Sequence, residues 1–330
     1  MLKQSEAVLM ELIVRTQKEL SKELVHYAAK RSRKLSKTLR IIIRTQDAEA
    51  VHDLRKATRD LQCLVDACRI RRSTHRAKGI RSDLRSWRHS LSAWRDSDVM
   101  ISLVEQAQGK AHQVYERKAW PAIAERTAKQ RRRAMKKVVK KADLGRIKEL
   151  RTKIKRLVDR RARIEPMADN LAQLLQQAWQ KLSAAIDEFE RVPEVANLHA
   201  VRIKAKSLRY ALDLRQRFYP NRKLEDSSTL LKDIQDRIGN WHDELMLSEL
   251  VRSTLSESNA INDPSATTIT EGIKEREIAM AESARRYLLT MRESEQYNRL
   301  RRVISAAIFA TSKGHDAEAA LHQSAIGAVN

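Results

Sequence analysis

One pattern occurs twice in this chain, and it restricts the fold to a duplicated unit. VHDLRKATRDLQCLV begins at Val51 and LHAVRIKAKSLRYAL begins at Leu198, 147 positions later. The same shift carries LSAWRDSDVMISLV, from Leu91, onto IGNWHDELMLSELV, from Ile238. His52 and Arg55 recur as His199 and Arg202, Arg59 as Lys206, and Leu61 as Leu208. A repeat of this length implies two supersecondary units, each needing partners to cover its apolar stripes.

The periodicity of both copies is helical. With 7 glycines and 5 prolines in 330 residues there are few places for the chain to turn, which suits long helices. Aromatic residues make up 4 %, too few for a wide sheet. The reading is an all-α fold of two tandem four-helix bundles related by a pseudo-twofold axis. Residues 1–330 form one domain, with repeat one at about 5–164, repeat two at about 166–312 and a frayed tail at 313–330. Helices are expected at 5–45, 51–71, 78–108 and 121–141, with Pro121 in a first turn, and a basic helix ends near Ile164. The second half should hold helices at 167–190, 194–218, 224–257 and 271–312, with a linker at 256–268.

Charge then narrows the function. The net charge is +24 and the pI about 10.3, a self-repulsion that a polyanion or anionic surface would neutralise. Cys63 and Cys68 are spaced as reduced thiols on one helix. No window of about 18 apolar residues is present, so a cytoplasmic protein without membrane insertion is expected.

At 100° per residue, His52, Arg55, Lys56 and Arg59 fall within roughly one-quarter of the helix circumference. Leu54, Thr58, Leu61 and Val65 lie opposite and form a core stripe. In the second copy His199, Arg202, Lys206 and Arg209 oppose Val201, Ala205, Leu208 and Leu212. Cations opposite a core stripe are usually a solvated face. Here no carboxylate interleaves the row, and like charges at i, i+4 are destabilising. Guanidinium and ammonium donors in a shared groove would match phosphate oxygens.

The second repeated segment supplies Asp96 and Asp243. One carboxylate per repeat is a poor basis for a metal site, so these two are expected to orient the basic rows, with no metal and no cofactor. Trp94 and Trp241 read as core. Residues 125–163 hold eighteen Lys/Arg against four Asp/Glu. Arg132, Lys136, Lys137, Lys140, Arg151 and Lys155 there form a possible extended anion track.

At the two repeated segments the chain resembles the conserved histidine α-helical domain (CHAD) family. VHDLRKATRDL and LHAVRIKAKSLRYAL are similar to its histidine-and-arginine helix motif, and WRDSDV and WHDELM to the segments that follow. The resemblance spans about residues 20–312 and implies two four-helix repeats, binding of inorganic polyphosphate and association with polyphosphate granules. It reads as a stand-alone member, since nothing here would build the all-β triphosphate tunnel fused to some relatives. By position, the resemblance makes His52, Arg55, Lys56, Arg59, His199, Arg202, Lys206 and Arg209 the polyphosphate-binding residues. Ile203 stands where the first copy has Lys56, and Gln62 where the second has Arg209, so unequal contributions are expected.

Non-catalytic polyphosphate binding is therefore the leading expectation. Sequence-nonspecific nucleic-acid binding is second, because the rows hold few aromatic stacking platforms, Tyr210 being the exception. A phosphate-processing enzyme is third, since no glycine-rich phosphate loop or base beside His52 or His199 is evident.

Overall fold

Amphipathic stripes broken by short polar connections produce a chain of helices packed side by side. The computed structural model describes residues 2–70, 74–109, 114–164, 167–220, 222–257 and 264–306, and no strand occurs among them. The helices of the first half are α1 (Leu2–Thr45), α2 (Ala48–Ala67), α3 (His75–Ser90), α4 (Ser92–Gly109), α5 (Val114–Lys141) and α6 (Leu144–Ile164). Those of the second are α7 (Met167–Arg191), α8 (Val195–Phe218), α9 (Arg222–Glu257), α10 (Pro264–Glu293) and a last helical stretch, α11, at 295–306.

Local chemistry sets several of these ends. Asp47 caps α2 by accepting from the Glu49 and Ala50 amides, and Thr74 caps α3 by accepting from the Ala77 amide. Each satisfies donors that a helix start leaves orphaned.

The order of neighbours is the same in both halves. In the first, α1 packs on α2 and α6, α2 on α3, and α4 on α5; in the second, α7 packs on α8, α8 on α9, and α9 on α10. The α11 stretch returns to α7, where Tyr297 meets Trp179 at 5.1 Å. Starts of α2 and α8 are 147 residues apart, as are those of α3 and α9.

Each half has its own apolar core, centred on Leu54, Leu61 and Trp94 in one and on Leu208, Ile238 and Trp241 in the other. Both tryptophans are fully buried, as their sequence pattern suggests. A third cluster joins Met100 and Val104 of α4, Trp120 and Ile123 of α5, and residues of α9 and α10 such as Leu247 and Ile273. It fastens one half to the other. Further contact between the halves comes from α2 against α8 and α4 against α9.

Apart from shifts of a few residues at helix ends, the layout differs from the sequence reading in four places. The helix expected at 78–108 is two, because the chain turns at Leu91. The Ser90 and Ser92 hydroxyls donate back to the Trp87 and Arg88 carbonyls there, a competition with the backbone ladder that bends helices. Pro121 lies inside α5 rather than in its first turn. The expected linker at 256–268 is shorter, since α9 reaches Glu257 and α10 begins at Pro264. The helix expected at 271–312 is interrupted at Ser294, whose hydroxyl donates to the Met291 carbonyl and accepts from the Tyr297 amide. The tail expected at 313–330 lies outside the described residues.

Candidate functional site

The rows on α2 and α8 meet. Because α2 packs on α8 and α4 on α9, cations from both halves converge instead of pointing to separate surfaces. Tyr210 of α8 is the hinge of this meeting: its ring has the Arg59 guanidinium at 5.6 Å and that of Arg209 at 5.4 Å. An aromatic face satisfies two arginines without neutralising either.

Arg55 is fixed from the α3–α4 corner. Its guanidinium donates to the Arg88 carbonyl at 3.1 Å and to the Ser92 hydroxyl at 2.9 Å. Arg88 in turn donates to the Gln62 side-chain oxygen at 2.6 Å. The turn at Leu91 therefore delivers two backbone and side-chain acceptors to the site.

Both carboxylates singled out by the repeat lie within this cluster. Asp96 of α4 sits among Arg55 and Arg95 of its own half and His242 and Arg202 of the other; burial raises its pKa while those cations pull it down. Asp243 of α9 lies 3.8 Å from the His242 ring and acts on Arg202 and Lys206. His199 stacks on His242 with ring centroids 5.1 Å apart. Burial, then His242, Arg202 and Lys206, hold the His199 pKa below its ordinary value.

Cations dominate the electrostatics. Burial and the neighbouring Arg202 and Arg59 bring Lys206 down to about 7. Arg88 is lowered to about 10 by burial and by Arg59, Arg55, Arg85 and Arg81, with no carboxylate among those causes. The Arg202 and Arg209 Nε atoms are buried without a hydrogen-bond partner, an expensive state for a charged donor. Such a cluster leaves buried donors and excess positive charge without a partner among the described residues.

Not every residue of the rows joins it. His52 and Lys56 are exposed on α2, and Lys56 acts on Asp60 and Asp213 rather than on the central arginines. Of the possible extended track, Arg132, Lys136, Lys137, Lys140 and Lys155 are exposed. Arg151 instead donates to the Ser36 hydroxyl of α1 at 3.0 Å, tying α6 to α1. Arg88, Arg95 and His242 belong to the cluster but were not singled out as site residues. Arg88 aligns with Gln235, so a search for recurring residues passes over it. Among the described residues no group of three His, Cys, Asp or Glu side chains is placed to hold a metal.

A bundle of long helices with paired His/Arg helices at its centre is the arrangement of one known class of domain. The model of the CHAD domain matches residues 26–252, and the chain belongs to the CHAD family. Its fold is similar to the crystal structure of the CHAD domain from the plant Ricinus communis, with a TM-score of 0.56 and 18 % identity. That likeness covers 88 % of this chain and 92 % of the plant one, and at such identity it speaks for the fold alone. No curated protein sequence matches the chain. None of the described helices is long and apolar enough to cross a membrane.

Proposed function

We propose that this protein binds inorganic polyphosphate, without chemical conversion, in the cluster between α2 and α8. The observation that carries this reading is the convergence of Arg55, Arg59, Arg202, Lys206 and Arg209, two of them with buried, unpartnered Nε donors. Family membership supports it, since CHAD domains are associated with polyphosphate. A chain of phosphates offers one charge per unit and no bases, so phosphate contacts are all the protein must provide. The groups acting on His199 are an imidazole and two cations, which suits anion positioning better than proton abstraction. Association with polyphosphate granules in the cytoplasm follows from the same reading.

Sequence-nonspecific nucleic-acid binding remains the second reading, on the strength of the same charge. Tyr210 is held between two arginines and is thus occupied as a stacking platform. Competition decides between them. Long-chain polyphosphate should displace duplex DNA at equal phosphate concentration, and the reverse order would overturn the proposal. Release of phosphate from polyphosphate by the pure protein with magnesium or manganese would restore the enzymatic reading.

A further inference from the structure

A second cationic feature lies away from the central cluster. At the outer end of α2 and the start of α3, Arg69, Lys78, Arg81, Ser82 and Arg85 line a cleft of about 310 Å³. Within it, Asp66 accepts from Arg81 at 2.8 Å and pairs with Arg69 at 3.3 Å. Lys78 and Arg85 are exposed and make no ion pair among the described residues.

The cleft is not isolated. Lys78, Arg81, Arg85 and Arg88 recur at alternating spacings of three and four, so they form one stripe along α3 over about 15 Å. Arg88 ends that stripe and belongs to the central cluster, where Arg55 and Arg59 act on it. Neighbouring cations of one stripe repel each other; Asp66 relieves Arg81, and an external anion would relieve Lys78 and Arg85. The second half has no equivalent: Glu225, Ser228, Lys232 and Gln235 stand at the positions 147 residues on.

We propose that the α2–α3 cleft is a second phosphate site, continuous with the central one through Arg88, which holds a further segment of the same linear phosphate chain on the first half only. The inference rests on the central cluster binding polyphosphate. A linear ligand is required, because a compact anion seated in the cleft would not reach past Arg88. The site gives the bound chain a one-sided path and makes affinity depend on its length.

Lys78 and Arg85 provide the test, since removing either breaks no pair. The double variant Lys78→Ala/Arg85→Ala and a charge-matched control, Arg285→Ala/Arg286→Ala on the exposed face of α10, would be titrated with tripolyphosphate and with long-chain polyphosphate. Circular dichroism would verify that each is folded. For the α3 variant, long-chain affinity should fall about tenfold and its salt slope by about 1.4, at roughly 0.7 per lost contact. Tripolyphosphate binding should stay near wild type, and the control should change long-chain binding much less. Unchanged long-chain binding by the α3 variant, an equal loss for both ligands, or a larger loss in the control would each overturn the second site while leaving the central one. Failure of the wild-type protein to bind either ligand would instead overturn the central reading, and this one with it.

Discussion

Lys206 shows what the cluster costs in stability. Burial beside Arg202 and Arg59 lowers its pKa to about 7, against about 10.4 for an unfolded lysine. The folded state thus resists protonation. The resulting penalty is full below about pH 7 and fades as pH rises toward the unfolded value. Lys206→Met should therefore stabilise the ligand-free protein, by about 1 kcal/mol or about 2 °C in Tm. Thermal scans across pH should show that gain largest near pH 6 and vanishing near pH 10; a constant gain would mean the effect is packing alone. Binding responds in the opposite sense. A bound anion favours the charged lysine, so affinity should weaken as pH climbs above about 7, and Lys206→Arg should remove most of that decline because arginine stays protonated. Arg55 is a poorer probe, since it also fastens the α3–α4 corner. Arg202→Glu avoids that complication: anion affinity should drop at least tenfold with helicity unchanged, as measured by titration and circular dichroism. Near-wild-type affinity would place the ligand elsewhere.

At the level of elements, the helices on which the site is built were legible because each shows a buried stripe opposite a cationic one. Leu54, Leu61 and Val65 are fully buried, as are Val201, Ala205 and Leu208, so the projection that separates core from site reads correctly on both α2 and α8. Other features had no signature of that kind. Apolar spacing continues across Leu91, and the turn there depends on two serine hydroxyls competing with the backbone. Arg88 was missed for a different reason: comparing repeats reveals what both halves share, whereas Arg88 exists in one. The turn and Arg88 are linked, because the corner supplies the Arg88 carbonyl and the Ser92 hydroxyl to Arg55. Ser92→Ala should leave Arg55 with one of these acceptors. It should cost roughly 1 kcal/mol in denaturant unfolding and weaken anion binding a few-fold, whereas no effect on binding would show that Arg55 is held well enough by the Arg88 carbonyl.

For the whole molecule, the site exists only because the halves are held together. Arg55 and Arg59 come from one, Arg202, Lys206 and Arg209 from the other, and the Tyr210 ring links them. The apolar cluster of α4, α5, α9 and α10 fastens this arrangement at a distance, with Trp120 buried in it. Its removal tests whether binding needs the register of the halves or merely their charge. Trp120→Ala keeps every cation and should cost about 3–5 kcal/mol of stability as a large-to-small change. If the halves must be aligned, polyphosphate affinity should fall at temperatures where the variant is still folded. Counterion release separates the two outcomes. Contacts from Arg55, Arg59, Arg88, Arg202, Lys206 and Arg209 alone should contribute about −4 to the wild-type slope of log K against log salt, at about 0.7 per contact. A misaligned site would make fewer simultaneous contacts, so Trp120→Ala should have a shallower slope although its net charge is unchanged. Equal slopes would mean that the phosphate chain follows the cations wherever they go, and that the packing between the halves serves stability alone.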